Sequence, residues 1–386
     1  MEVPVKKAIL IVLDGVGTGE MPDADSYGDR GSDTLGNTAE AVGGLNLPNL
    51  QKLGLGNIHR IKGVTPVNSP SASWGKMAEA SAGKDSITGH WEMMGIISEV
   101  PMPTFPEGFP DSLIKEFEEA AGRPVIGNEV ASGTEIIARL GEKQMRTGGL
   151  IVYTSADSVF QIAAHEKTVP VEELYSCCET ARKMLQPPSF GVGRVIARPF
   201  EGVPGSFART SGRKDFSLPP PGTTALDLMA EKGIPVAGVG KVDDLFAHRN
   251  IKAVHAGSNR EEMDILLNMT RNSEGGFIFA NLCDFDMKWG HRNDFRGFAA
   301  GLEEFDKWLP LMLAEITEDD ILLITADHGN DPTTPSTDHS REYVPLLAYS
   351  PKKPCVDLGI RSTFSDISVT LAEFFELGGI FSGKGL

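Results

Sequence analysis

Three aspartates each follow a short apolar run: Asp14 after Ala8–Leu13 (AILIVL), Asp286 in CDFD after Phe277–Leu282 (FIFANL), and Asp327 after Ile321–Thr325 (ILLIT). If those runs are parallel strands, the carboxylates can meet although they are far apart in sequence, because ligands of an open parallel sheet gather at the strand carboxyl ends. Taken singly, such an aspartate is ordinarily a turn residue or a helix cap. Three of them with histidines alongside point to metal chemistry. His291 lies five residues beyond Asp286 in DFDMKWGHRND, His328 directly follows Asp327, and His339 lies eleven beyond His328 in TADHGNDPTTPSTDHS. Mixed Asp and His donors suit Mn, Zn or Fe, whereas an all-oxygen set would suit Mg or Ca. A two-metal site also accounts for the acidic clustering, since carboxylates packed together repel unless a cation joins them.

A second segment, AGKDSITGHWEMMG from Ala82 to Gly95, offers two hydroxyls, Ser86 and Thr88, on a Gly-flanked turn that leads into an apolar stretch. One reading is a helix N-terminus capped by the Ser or the Thr. The other is a nucleophile, because a metal ion lowers a hydroxyl's pKa and a helix N-terminus can hold phosphoryl oxygens. Periodicity does not choose between Ser86 and Thr88. GKDS is not a P-loop, which needs GxxxxGK[ST] with the Lys late in a glycine-rich loop.

The elements that must position these groups are legible in outline. Ala8–Leu13, Leu150–Tyr153, Phe277–Leu282, Ile321–Thr325 and Val344–Tyr349 read as fully buried parallel strands, being continuously apolar and ending abruptly in Asp, Gly or Ser. Helical periodicity falls between them. Asp294 to Glu315 carries Phe295, Phe298, Leu302, Phe305, Leu309 and Met312 on one face, with Pro310 expected to kink it. Further helices are predicted over Ser112–Ala121, stopped by Gly122, over Val171–Leu185, and over Asp366–Leu377 with Ser365 as N-cap. Alternating strands and helices imply an α/β fold. Two proline-rich stretches, Val100–Pro110 and Phe216–Gly222, interrupt it as stiff linkers. The expected organisation is a core of residues 1–100 and 219–386 with a cap of residues 101–218 inserted between them.

Composition narrows the partners. Over 386 residues, 36 Lys+Arg against 53 Asp+Glu give a net charge of -17 and a pI near 4.9, which argues against binding a nucleic-acid backbone. No apolar run approaches the roughly 18 residues of a membrane span, and the six apolar residues after the opening MEVPVKK are too few for a secretory signal. Cys177, Cys178, Cys283 and Cys355 form neither a C-x-x-C pair nor a disulfide framework, which fits a reducing cytoplasm.

The segments IVLDGVGTGEMPDA, GSDTLGNTAEAVGGLNLPNLQKLGLGN, GKDSITGHWEMMG, NLCDFDMKWGHRND and ITADHGNDPTTPSTDHSRE closely resemble bacterial phosphopentomutases of the alkaline-phosphatase superfamily. The resemblance runs from about Ile9 to Leu377 and includes YTSADSVFQIAAHE in the cap. DHGND with a downstream TDH is shared with cofactor-independent phosphoglycerate mutases and related phosphatases; GHWEMMG and DFDMKWGHRND are the specific blocks. The implied fold is an alkaline-phosphatase-like core, a mostly parallel sheet flanked by helices, with an inserted α+β cap. Two divalent ions, manganese by resemblance, are implied: Asp286, His291 and His339 would hold one, and Asp14, Asp327 and His328 the other. The same resemblance selects Thr88, between the two ions, as the phosphorylated nucleophile; Ser86 and Ile87 stand where family members often carry two more threonines. It also groups Ser155, Asp157, Arg194, Arg209 and Lys241, as cap residues, around the substrate.

The implied activity is an intramolecular phosphotransfer between ribose 1-phosphate and ribose 5-phosphate, and between the 2-deoxy sugars, through a 1,5-bisphosphate, with a sugar bisphosphate as activator. Closure of the cap about the proline-rich linkers would exclude water. The rival readings are a metal-dependent phosphatase or another phosphosugar mutase of the superfamily and, in a different class, a non-catalytic metal-binding protein. The last leaves GKDSITGH without a purpose.

Overall fold

A computed structural model describes residues 6–155, 157–379 and 381–386; the opening Met1–Val5 and Ala156 of TSADS lie outside the described residues. The chain divides into two compact units, Pro220–Leu386 together with the chain up to Pro101, and Met102–Pro219.

The first unit is built on an eight-stranded sheet. Its strands are β1 (Lys7–Leu13), β2 (Ser73–Met77), β3 (Val236–Val239), β4 (Ala253–Val254), β5 (Gly276–Leu282), β6 (Ile321–Thr325), β7 (Val344–Tyr349) and β8 (Asp357–Arg361), in the spatial order β4-β3-β5-β1-β6-β7-β2-β8. The helices used below are α1 (Thr34–Val42), α2 (Pro48–Leu53), α3 (Ser86–Met93), α4 (Asn259–Asn272), α5 (Phe295–Leu313) and α6 (Asp366–Phe375). β1 lies between β5 and β6 and is parallel to both, with Leu13 opposite Leu282 and Val12 opposite Thr325. Ile9, Leu10, Ile11 and Val12 are fully buried, as a strand covered on both faces requires. The three strands therefore end level with one another, and the residues that follow them share one edge of the sheet.

The expectation of five parallel strands holds for β1 and β5, whereas β6 is parallel to β1 and antiparallel to β7. β7 runs antiparallel to both β6 and β2, and Leu150–Thr154, in the second unit, has one parallel and one antiparallel neighbour. A continuous apolar run reports burial of both faces, not the direction of its neighbours. Smaller corrections concern ends. Phe216 and Ser217 are the end of a strand, Lys214–Ser217, rather than linker. α6 stops at Phe375, and Ser365 occupies the cap position without a side-chain cap bond, its hydroxyl lying 3.0 Å from that of Ser368 instead.

α5 is continuous through Pro310. Proline removes the bond that would have gone to the carbonyl of Asp306, and Asn49 Nδ2 donates to that carbonyl at 2.9 Å. The Asp306 carboxylate returns the contact by accepting the main-chain N–H of Asn49 and of Leu50 at the start of α2. The Asp306 carboxylate thus meets N–H groups at the start of α2, and the Asn49 amide meets the carbonyl that Pro310 leaves open in α5.

The second unit is a mixed sheet in the order Val125–Val130, Leu150–Thr154, Val159–His165, Arg194–Val203, Ser206–Arg209, with Lys214–Ser217 also pairing with Arg194–Val203. Asp111–Ala121 and Val171–Met184 pack Phe117, Leu174 and Cys178 into one apolar cluster, and Gly133–Thr147 packs Ile136 and Ile137 into another. All four cysteines are free thiols. Among the described residues no helix is long and apolar enough to cross a membrane.

Two predictions follow from the first unit. Asp306→Ala leaves two helix-terminal N–H groups without their acceptor, and the urea unfolding free energy should fall by about 2 kcal/mol; an unchanged midpoint would contradict this. Burial, reinforced by Asp284, pushes the Glu262 carboxyl from its ordinary 4.5 up to about 8. The folded chain then keeps a proton that the unfolded chain releases, so this stabilisation is complete below pH 4.5 and disappears as pH rises through about 8. Melting temperature should accordingly decline less between pH 6 and pH 9 in Glu262→Gln than in the parent; parallel pH profiles would reject the assignment.

Candidate metal centre

The turn that leaves β1 begins the site. Gly15 has φ +75°, a left-handed conformation that favours glycine, and its N–H donates to Asp327 Oδ1 at 3.1 Å. Asp14 and Asp327 are thereby joined across the ends of β1 and β6. Beyond β5 the chain forms a single π-helical turn, Phe285–Trp289. That turn separates the two aspartates of CDFD by role. Asp284 accepts the N–H of Asn259 at 2.9 Å and secures the start of α4, while Asp286 faces the cluster. π-turns recur at functional positions because the extra residue re-aims a side chain.

Four nitrogen–oxygen distances define the cluster. His291 Nε2 lies 3.1 Å from Asp286 Oδ2 and His339 Nε2 lies 3.3 Å from Asp286 Oδ1, while His328 Nε2 lies 3.4 Å from both Asp14 Oδ1 and Asp327 Oδ2. The ring of His328 sits 4.1 Å from that of His339, which sits 4.8 Å from that of His291, centroid to centroid. Asp286, His291 and His339 offer ligand atoms all within 4.8 Å of one another, and so do Asp14, Asp286 and His328. The six residues expected from the sequence come together at one edge of the sheet, but Asp286 belongs to both groups, where the sequence had put Asp327 with Asp14 and His328; Asp327 joins through its 3.4 Å approach to His328.

The hydrogen bonds around the cluster orient its lone pairs. His328 Nδ1 donates to the carbonyl of Gly329 at 3.0 Å and His291 Nδ1 to that of Thr337 at 2.7 Å, so that in the neutral ring the lone pair of each sits on Nε2, which faces carboxylates. Asn330 Nδ2 donates to Asp286 Oδ1 at 2.6 Å, and Asn281 Nδ2 to Asp14 Oδ2 at 2.9 Å. Asp14 Oδ1 is buried and accepts no hydrogen bond, while the buried Asp327 Oδ2 has His90 Nδ1 at 3.2 Å. Burial, with Asp327 and Asp286 close by, pushes the Asp14 carboxyl well above the ordinary carboxylate range. Burial opposes charge on Asp286 too, but His339 and His291 hold it well below that range. Burial lowers His328. A buried Asp14 oxygen without a donor, beside carboxylates and imidazole Nε2 atoms that face one another, fits divalent cations with mixed N and O coordination. Another Asp–His group in the same unit, Asp243, Asp244 and His248, differs: the Asp243 carboxylate already takes His255 Nε2 and the N–H groups of Asp244 and Ala253.

The hydroxyl segment departs from expectation in one respect. Neither Ser86 nor Thr88 caps α3; Asp85 does, its side chain accepting the N–H of Ile87 and of Thr88. The Thr88 hydroxyl donates back to the carbonyl and carboxylate of Asp85, each at 3.0 Å, whereas Ser86 Oγ lies 3.1 Å from His328 Nε2. Gly89 packs against the Asp327 carbonyl so closely that no Cβ would fit, which brings the first turn of α3 onto the end of β6.

Lys241 lies in the first unit, not with the cap residues among which it was grouped; it precedes a short helix and its Nζ meets Met287 Sδ. In the second unit, Arg194 reaches Asp157 at 3.3 Å and Asp215 at 3.9 Å, and the Asp157 N–H points to Ser155 Oγ at 3.4 Å. Arg209, on Ser206–Arg209, adds its charge near Tyr153 with Arg198 and Arg213. Burial, with Arg213 and Arg209 nearby, lowers Arg198 to about 10.

Residues 6–378 match the family model for the metalloenzyme superfamily. The chain is 58% identical over 382 residues to a phosphopentomutase of Dictyoglomus turgidum, covering 98% of this chain and 97% of that one. The chain belongs to the phosphopentomutase family. A phosphopentomutase of Caldanaerobacter subterraneus subsp. tengcongensis is 54% identical over 98% of this chain and 96% of its own. Among solved structures, phosphoglycerate mutase of Leishmania mexicana shares the fold at a TM-score of 0.52 and 12% identity, over 100% of this chain and 98% of that one. The protein is an enzyme of the phosphomutase class, and its fold is the α/β metalloenzyme fold with a mostly parallel sheet.

Asn330, Asn281, His90 and Asp85 were not singled out from sequence. Asn330 and His90 lie inside motifs that were, DHGND and GHWE, but amide and imidazole side chains in a motif do not announce which neighbour they orient. If the cluster is held together by cations, then without divalent ions Asp14→Asn should melt higher than the parent, because one of three crowded carboxylates is gone. Added Mn should raise the melting temperature of the parent and much less that of the variant. A parent indifferent to Mn would count against the reading.

Proposed function

We propose that the protein interconverts ribose 1-phosphate and ribose 5-phosphate, and the 2-deoxy equivalents, through a phosphorylated Thr88 and a sugar 1,5-bisphosphate. The observation that carries the reading is the pairing of two Asp–His groups with a hydroxyl-bearing helix start at the ends of three adjacent strands. The activity for which the phosphopentomutase relatives are named, at 54–58% identity over nearly the whole chain, supplies the substrate class. Asp286, His291 and His339 would hold one divalent ion and Asp14, Asp327 and His328 the other, manganese being the proposed metal, with Thr88 between them. Bound there, the ions supply activation of the attacking oxygen and neutralisation of charge on the leaving side.

The chain's own groups do the rest. Asp85 keeps the Thr88 hydroxyl on the first turn of α3. The Thr88 hydroxyl passes its proton to the Asp85 carboxylate that it faces as its oxygen takes a phosphoryl group from the activating sugar bisphosphate; the sugar O–P bond breaks as the Oγ–P bond forms, leaving the pentose monophosphate. Phospho-Thr88 then donates the group to the free hydroxyl of a pentose monophosphate; the Oγ–P bond breaks as the new O–P bond forms. The bisphosphate turns over and returns its other phosphoryl group to Thr88. A loose transition state of this kind asks for positioning and charge neutralisation rather than covalent assistance. Ser155, Asp157, Arg194, Arg209 and Lys241 are proposed contacts to the sugar phosphate. A cytoplasmic setting, where pentose phosphates are available, goes with this reading.

Thr88→Ala should abolish mutase turnover and leave melting temperature nearly unchanged, and a phosphopeptide map should place the phosphate on Thr88 rather than on Ser86, whose hydroxyl lies 3.1 Å from His328 Nε2. Phosphate found on Ser86 would transfer the role. Incubation with ribose 5-phosphate should yield ribose 1-phosphate; release of inorganic phosphate instead would make the enzyme a phosphatase. Chelation should silence the enzyme and Mn should restore it, while full activity of the metal-free protein would remove the scheme.

A further inference from the structure

The GKDS segment contains a lysine to which the proposed reaction gives no task. Lys84 Nζ donates to Asp29 Oδ1 at 3.2 Å, to Asp29 Oδ2 at 3.0 Å and to the main-chain carbonyl of His339 at 2.7 Å, and it pairs with Asp338 Oδ2 at 3.2 Å. Arg341 crosses the same junction in the opposite sense. Its buried guanidinium donates to the carbonyls of Glu79 at 3.0 Å, Ser81 at 2.8 Å and Gly83 at 2.6 Å, and pairs with Asp23 and Glu79. Asp29 ties the two together, because the oxygen that takes the Lys84 ammonium also accepts the Arg341 N–H at 2.9 Å. The residue preceding the Asp85 cap thus grips the carbonyl of His339, while the residue two beyond His339 grips the carbonyl of Gly83. Gly83 lies directly against Thr88, where an added Cβ would meet Thr88 Oγ1 at 2.5 Å.

We propose that Lys84 is a positioning residue that sets the separation between Thr88 and His339, with Arg341 as the second half of the latch. The inference rests on reading Thr88 as the nucleophile. The two segments are irregular backbone, so no ladder of main-chain bonds holds one to the other. A point charge with three rotatable donors can satisfy acceptors in divergent directions, as the Asp29, Asp338 and His339 oxygens require. Such fixing matters at a reacting centre, where a displacement of about 1 Å costs on the order of 100-fold in rate.

The test uses the full-length, Mn-loaded enzyme and the variants Lys84→Met and Lys84→Arg. Lys84→Met should lose at least about 10-fold in kcat at saturating Mn, with KM for ribose 5-phosphate within about threefold, the metal-to-protein ratio unchanged and melting temperature within a few degrees. Lys84→Arg, which keeps a donor cation, should recover much of the loss. Full kcat in a folded, metal-loaded Lys84→Met overturns the proposal, and so does recovery of its kcat simply by raising Mn, which would make Lys84 a residue for metal retention. If Lys84→Met does not fold, Asp29→Asn weakens the same anchor while keeping Lys84, and should lower kcat by a smaller factor at unchanged KM; an unchanged kcat there overturns the proposal equally. Thr88→Ala measured alongside separates the two readings: activity without Thr88 removes the nucleophile, whereas an inactive Thr88→Ala with a fully active Lys84→Met removes only the latch.

Discussion

Mutual repulsion of carboxylates at the end of a parallel sheet is the constraint on which the first unit depends. β5, β1 and β6 lie side by side, all point the same way and end level, so Asp14, Asp286 and Asp327 are delivered to one edge whether or not their charges welcome it. In a buried setting such a group must be neutralised by protons, by hydrogen-bond donors or by cations. Asp14 shows the conflict most openly, with one oxygen without a donor and a carboxyl pushed well above its ordinary range by burial and by Asp327 and Asp286. A fold arranged for stability alone would place amides or apolar groups here. Retaining three carboxylates is intelligible as the cost of a cation-binding edge.

The shell around the cluster follows from the same constraint. Main-chain carbonyls of Gly329 and Thr337 hold the imidazoles of His328 and His291 in one tautomer, Asn330 and Asn281 each orient a carboxylate, and the Gly15 N–H links Asp327 to the turn after β1. Glu342 extends the shell outward. It is buried, accepts the N–H of Thr34 and of Gly19, and accepts the hydroxyls of Thr34 and Ser340, so the loop after β1, α1 and the residue following His339 meet on one side chain. Burial pushes its carboxyl to about 8 against those bonds. Thr34 in turn accepts the Asn330 N–H, which closes a path of hydrogen bonds from Glu342 to Asp286. Ligand-bearing loops gain their rigidity from such contacts because they have no regular backbone pairing of their own.

The acidic balance of the chain has a local meaning as well as a global one. A net charge of -17 discourages polyanionic partners, yet a sugar phosphate is itself an anion. Three carboxylates carry three negative charges, and two divalent cations would carry four positive ones, so the sign of the field reverses where a phosphoryl group would sit. Lys84 and Arg341 take no direct part in that reversal, since carboxylates and carbonyls of the surrounding loops engage them.

By itself the sequence determined the strand cores, the acidic residue after each and the histidines beside them, because apolar runs and Asp or His are local signals that burial and ligation chemistry demand. It also determined the family, through motifs long enough to be specific. Strand direction was not legible: Val344–Tyr349 reads like its neighbours but runs against them, since an apolar pattern records two covered faces and nothing of the partner's polarity. Nor was the cap of α3, where Asp85 rather than Ser86 or Thr88 takes the position, because three capping residue types within four positions are separated only by backbone geometry. Which aspartate of CDFD faces the cluster depended on a π-turn. The tasks of Asn330, Glu342, Lys84 and Arg341 were decided wholly by contacts between residues tens to hundreds of positions apart, and such contacts exist only once the chain has folded.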